Sequence, residues 1–322
     1  MSSRAVRLTC TSRLPDAAPS LLLVNDSSQH DVPVTTADFA PAVSVTAAPV
    51  QDLPIEGQPA QQPQRRRQRP SLWSYPATYT LVGINVAVYL LMLLYSHAGL
   101  HMPSATGISS DFDPLTMQRF GASDAALVLQ GEWWRLITAN FEHVTLLHIA
   151  LNMWCLWNLG VFGEPLLGRR GLVCVYLLTG ITGNIFSLGL AVLTREELVV
   201  AGASGAVFGI AGILIVLLSN RGLSVPWEEL KALRRQVIFF AGINLAIGIG
   251  PQLLGVFSSS AIGRIANSAH IGGFVCGVAL GLPLFPRMMS GRTAYRHRQT
   301  QAFIVTALVL CLVGYAISAF AR

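Results

Sequence analysis

The stretch AGASGAVFGIAGILIVLLS, residues 201–219, decides how this chain is built. It carries no charge over its whole length, and a bilayer core is crossed by roughly 18 to 25 apolar residues. Yet it opens on a hydroxyl, Ser204, set between Gly202-Ala203 and Gly205. A second apolar run, 268–285, opens in the same way on Ala269-His270-Ile271-Gly272-Gly273. Polar groups that can do chemistry are costly in such surroundings, and an ionisable one there points to a functional site.

Outward from these two runs the whole chain reads as membrane protein. It is 52% hydrophobic and 12% charged over 322 residues, about half the charged share of an ordinary soluble domain, and its mean hydropathy is +0.53. Seven apolar stretches have spanning length: 77–97, 144–163, 171–193, 201–219, 236–256, 268–285 and 302–320. All sixteen Asp and Glu fall in the tail, the loops or the span edges. Cys155, Cys174, Cys276 and Cys311 lie in spans and Cys10 stands alone in the tail, so they read as small buried hydrophobes and not as a disulfide framework. Leu21 to Val24 is too short for the apolar core of a signal peptide, so the first span is expected to serve as its own insertion signal.

The formal charge of +6 is distributed by membrane side. Arg65, Arg66, Arg67 and Arg69 precede the first span, Arg169 and Arg170 separate spans two and three, and Arg221, Lys231, Arg234 and Arg235 separate four and five. Arg287, Arg292, Arg296 and Arg298 follow span six, while the alternate loops carry fewer. Positive residues collect on the cytoplasmic side, so the N-terminus is expected inside and the C-terminus outside. The partners implied are the lipid bilayer and membrane-embedded substrates, with no nucleic acid. Residues 1–70, rich in Ala, Pro, Ser and Gln, read as a disordered cytoplasmic tail. The long outside connection between spans one and two holds Trp133, Trp134 and Arg135. These read as an interfacial anchor, with the guanidinium reaching phosphates or backbone carbonyls.

That orientation brings the polar residues of three spans to one depth. Spans two, four and six run from outside to inside, which sets His148 and Asn152, Ser204, and His270 a few residues below the outer surface. Gly205 with Gly209, and Gly273 with Gly277 and Gly281, form small-residue stripes that allow close helix approach. A serine becomes nucleophilic when a base takes its proton, and histidine is suited to that near neutral pH. With no carboxylate in the spans, the expected arrangement is a Ser204–His270 dyad. His148 and Asn152, at i and i+4 on one helix face, could join the Ser204 backbone N–H as donors to an oxyanion. His143 reads as a residue that orders the loop.

These residues resemble the rhomboid intramembrane serine proteases. The resemblance rests on Gly202 to Gly205, on His143, His148 and Asn152, on Ala269-His270 followed by Gly273 and Gly277, and on Trp134-Arg135. It covers about residues 75 to 285. It implies Ser204 as nucleophile, His270 as general base and acid, and His148 and Asn152 at the oxyanion. It also implies an all-α polytopic fold with a six-helix catalytic core over 71–286, then a cytoplasmic linker and an added seventh helix in 287–322. Where the family often has a tyrosine four residues after the serine, this chain has Phe208, which can stack on His270 but donates no hydrogen bond.

The expected activity is cleavage of single-pass membrane proteins in or beside their transmembrane segments, in a bacterial inner membrane, without cofactor or metal. Span five and the loop from Ser258 to Arg264 are candidates for a gate and cap, loosened by Gly242, Gly248, Gly250, Pro251 and Gly255. Three other readings compete. A zinc site of His143, His148 and His270 lacks the carboxylate helper that zinc hydrolases use. A carrier is disfavoured by the lack of internal repeats, and a rhomboid-like binding protein without catalysis is disfavoured by the presence of both Ser204 and His270.

Overall fold

The computed structural model describes residues 74–98, 112–195, 197, 199–223, 225–253, 261–285 and 288–321. The expected disordered tail and residues 258–260 of the expected cap lie outside them. Nine α-helical segments, one of them kinked into two helices, occur among the described residues, with one two-residue ladder pairing β1 (Ser123–Asp124) antiparallel to β2 (Val199–Val200).

Helix α1 (Pro76–Ala98) starts on a proline, which has no N–H to leave unbonded. Its next two N–H groups are satisfied from a distant helix: Ala77 and Thr78 N–H donate to the two carboxylate oxygens of Glu164 at 3.1 and 2.9 Å. The Thr78 hydroxyl adds a third bond at 2.8 Å. A carboxylate at a helix N-terminus also complements the helix dipole, so the one acid buried within α5 acts as the cap of α1.

The described part of the connection after α1, residues 112–145, contains short helices. Asp113 caps α2 (Pro114–Phe120), which ends at Gly121 with φ +111°. Asp124 caps α3 (Ala125–Leu129), and α4 (Arg135–Thr138) passes into a 3-10 turn, Ala139–Phe141. Arg135 is buried here. Its Nη1 donates to the carbonyls of Gln118 (2.6 Å) and Ala122 (3.2 Å), its Nε donates to Glu132 (2.7 Å), and its guanidinium stacks on Trp134. Of the two partners expected for this arginine, backbone carbonyls are the ones it bonds here.

Expected spans two and three are two helices that meet at Gly168, whose φ of 74° and ψ of 164° are non-helical, and together they make α5 (Leu146–Thr194). Its 49 residues amount to roughly 73 Å of helix, more than twice a hydrocarbon core of about 30 Å. The chain folds back at the break: Gly163 faces the Leu172 side chain, and Asn184 returns to donate to the Leu136 carbonyl at 2.9 Å.

Helix α6 (Ser204–Leu217) has 14 residues, shorter than the expected 201–219, and nearly all are buried. It packs against α5, α7 (Trp227–Leu253) and above all α8 (Ala261–Leu284). Apolar burial gives little drive between helices in lipid, so such contact depends on close fit. The fit is backbone to backbone. A Cβ at Gly273 would run into the Gly205 carbonyl, one at Gly277 into the Gly209 carbonyl, and one at Gly212 would meet the Phe274 carbonyl at 2.5 Å.

The last helix, α9 (Arg292–Ala321), buries only Gln299, Gly314 and Ser318. Gln299 donates to the Leu167 carbonyl at 3.0 Å, and Gly314 faces the Trp133 ring. Beside that contact an apolar crevice of about 600 Å³ separates α9 from α4 and α5, lined by Trp133, Leu136, Ile185, Leu310 and Tyr315. Pro76–Ser96, Leu146–Thr194, Asn267–Leu284 and Arg292–Ala321 are each long and apolar enough to cross a membrane, with α6 as a shorter apolar helix. The fold is that of an all-α integral membrane protein.

Candidate active site

Ser204 stands at the first position of α6, and the approach to it is built by the connection between α1 and α5. β2 is paired to β1, after which the Gly202 N–H donates to the Ala139 carbonyl at 2.8 Å. Gly202 has φ +131°, a conformation that L side chains rarely adopt. Its bare Cα also faces the His148 imidazole, since a Cβ there would lie 2.8 Å from Cε1 and 3.0 Å from Nε2. Glycine is therefore required twice over, by the turn and by the ring.

The N-cap of α6 is Ala203, which gives no side-chain bond to the first turn. The first N–H groups of a helix have no intrahelical acceptor, and the dipole makes that end attractive to negative charge. The Ser204 N–H is therefore set where a developing oxyanion could use it.

His148 occupies the first turn of α5, where its N–H donates to the cap residue Thr145 at 3.0 Å. Asn152 is buried one turn on, and its amide donates to the His148 carbonyl at 3.0 Å. That leaves the second amide N–H for another acceptor. The third contributor comes from α8. Phe208, one turn into α6, stacks on the His270 ring with centroids 4.5 Å apart and planes at 18°. The backbone before His270 is held from two sides: Gly183 of α5 faces the Ala269 carbonyl, and the Ser187 and Ser268 hydroxyls are hydrogen-bonded at 2.7 Å.

His270 thus lies beside the first turn of α6, on whose leading residue the serine sits. Its Nδ1 is buried without a hydrogen-bond partner among the described residues, so no carboxylate orients it. No hydrogen bond joins Ser204 to His270 either among the described contacts, and catalytic hydrogen bonds often tighten only when substrate is bound.

Residues 130–287 match the family profile described as "Rhomboid domain". The chain belongs to the rhomboid family. It is 31% identical over 262 residues to the rhomboid protease GluP of Bacillus subtilis, a match covering 80% of this chain and 44% of that one. It is 29% identical over 256 residues to the mitochondrial RHOMBOID-like protein 6 of Arabidopsis thaliana, covering 72% and 76%. With the rhomboid protease AarA of Providencia stuartii it shares 28% over 229 residues, covering 68% and 75%. The chain spans less than half the length of the Bacillus relative. At the family level this rhomboid is a relative of intramembrane serine proteases.

Several residues that build this rhomboid's site carry no motif. Asn140 donates to the carbonyls of Leu136 and Ile137, at 2.9 and 3.0 Å, while its own carbonyl accepts the Tyr176 hydroxyl at 2.7 Å. Asn85 of α1 bonds the same hydroxyl at 3.1 Å. This buried network ties the segment around Asn140 to α1 and α5. Polar residues inside apolar spans, here Asn85, Tyr176 and Asn184, are the signal that would have revealed it.

Glu142 was also missed. It is fully buried directly before the second span, and neither carboxylate oxygen has a partner among the described residues. Burial pushes its carboxyl up to about 9, against a smaller opposing pull from the Arg135 guanidinium. The acid is therefore neutral near pH 7.

Proposed function

We propose that this chain is an intramembrane serine endopeptidase that hydrolyses peptide bonds in or next to transmembrane segments of single-pass membrane proteins. The observation that carries the reading is the stack of Phe208 on His270, which holds the imidazole against the helix that begins at Ser204. His270 takes the Ser204 proton as Oγ attacks the substrate carbonyl carbon, and returns it to the leaving amine. An acyl-enzyme ester remains, and a water deprotonated by the same imidazole hydrolyses it. The Ser204 N–H, the second amide N–H of Asn152 and the His148 ring N–H are the donors proposed for the oxyanion.

The hydrogen bond between Ser204 and His270 forms as substrate arrives. Phe208 supports the histidine face without fixing its rotation through a hydrogen bond, so the substrate completes the alignment. The domain is read as a six-helix rhomboid core with α9 as a seventh crossing. Its N-terminus faces the cytoplasm and its C-terminus the outside of a bacterial inner membrane, a placement supported by the distribution of Arg and Lys. No cofactor or metal enters the mechanism.

Purified protein in proteoliposomes with a single-pass reporter tests this reading. Wild type should cleave it, Ser204→Ala and His270→Ala should not, and all three should remain folded. Asn152→Ala should lose on the order of 10²-fold in kcat, the cost of one oxyanion donor. Substantial cleavage by Ser204→Ala would overturn the mechanism.

A further inference from the structure

His143 is fully buried and lies outside the helices that carry the proposed dyad. Its Nε2 accepts a hydrogen bond from the backbone N–H of Ala203 at 3.3 Å, across 60 residues of sequence. Its ring meets the His148 ring edge-on, with centroids 5.1 Å apart and planes at 66°. The Gly202 N–H is tied to Ala139, so both N–H groups directly before Ser204 are anchored on residues 139–143.

In a capping box the N-cap N–H is bonded by a side chain at the third helical position. Here that position is Ala206, which has no acceptor, and His143 fills the role from another part of the chain. The geometry points to His143 as a positioning residue for the hydrolysis: by accepting the Ala203 N–H it sets the peptide unit that leads into Ser204, and its ring edge braces His148. This rests on the proposed protease reading, since the orientation being set is that of the Ser204 N–H and Oγ.

An accepting Nε2 fixes the tautomer. The proton must sit on Nδ1, and an imidazolium would have no lone pair left for Ala203. The surroundings favour the neutral ring, because burial and the nearby His148 hold its pKa down at about 3, with the Phe141 backbone partly opposing.

The test compares His143→Gln, whose carboxamide oxygen can accept the same N–H, with His143→Leu, which fills the space without an acceptor. In proteoliposomes His143→Leu should lower kcat by about 10-fold or more with KM little changed, and His143→Gln should recover most of the loss. If both fall equally, in proportion to lost thermal stability, His143 is packing only and the proposal is overturned. Unchanged kcat in His143→Leu overturns it as well. A wild type that fails to cleave is a failure of the protease reading instead, and one that cleaves while His143→Leu keeps full kcat is a failure of this inference alone. Should the leucine variant not fold, histidine-selective 15N NMR of the wild type decides, with His143 assigned by its missing signal in His143→Gln. An Nδ1-protonated ring from pH 5 to 8 is expected, and an Nε2-protonated ring contradicts it.

Discussion

Helices α6 and α9 are both apolar, yet one is buried almost throughout and the other hardly at all. Between Gly205 and Leu214 every residue of α6 is buried, whereas Ile304, Val305, Leu308 and Leu312 of α9 are more than half exposed. Hydropathy does not tell them apart, and α9 has the more apolar window of the candidate spans. Glycine spacing does. Gly205, Gly209 and Gly212 meet α8 at three levels, backbone against backbone, while α9 touches the core through Gly314 against Trp133 and through Gln299 near Gly171. In lipid, close approach decides what packs with what, and the site stands at the mouth of the tighter seam.

The sharpest way to break that contrast is to add a side chain in the seam. Gly277→Leu would drive carbon into the Gly209 carbonyl, an obstruction of backbone that cannot turn aside. The expected cost exceeds the roughly 1–3 kcal/mol usual for overpacked cores, and size-exclusion chromatography should show aggregated protein with no cleavage. A folded, active variant would mean that α6 and α8 are not in contact.

A middle-sized effect concerns pH. Glu142 stays protonated in the folded state up to about 9, while in the unfolded chain it ionises near 4.5. Over that window the folded state holds the extra proton, so stability falls as pH rises and the slope flattens above about 9. His143 acts with the opposite sign below 6.5, where unfolding lets it take up a proton that the folded state refuses down to about 3. The interval from pH 6.5 to 9 therefore separates Glu142 from His143. Thermal melts of detergent-solubilised Glu142→Gln should be flatter across it than those of wild type, and equal slopes would show that the acid is ionised in the folded protein.

The smallest change belongs to α9. Gln299→Ala removes a single buried bond to the Leu167 carbonyl and should cost about 0.6–1.7 kcal/mol, the range of hydrogen bonds between membrane helices. A small drop in melting temperature with cleavage retained would sharpen the contrast between the two helices. Loss of cleavage would make α9 part of the working core.

Much of this organisation was legible in the residues. The apolar spans, the glycine stripes and the bonding of Arg135 to backbone carbonyls could be read because each depends on short spacing or on one residue type. The sharp turn-back at Gly168 could not, because it depends on a backbone angle. Glu164 looks like the edge of a span, and only the fold shows that it caps α1 from 86 residues away. His143 reads as a loop-ordering residue, but its bond to Ala203 spans 60 positions and has no local signature. Long-range hydrogen bonds to backbone leave the least trace in a sequence, since any acceptor of the right reach will serve.

The central claim is that the seam between α6 and α8 presents an activated serine. Labelling purified wild type, Ser204→Ala and His270→Ala with a fluorophosphonate probe, and locating the adduct by mass spectrometry, tests it most directly. The account predicts an adduct on Ser204 in the wild type and none in either variant. A folded wild type that stays unlabelled where an active rhomboid protease reacts, or a label that persists in His270→Ala, would contradict it.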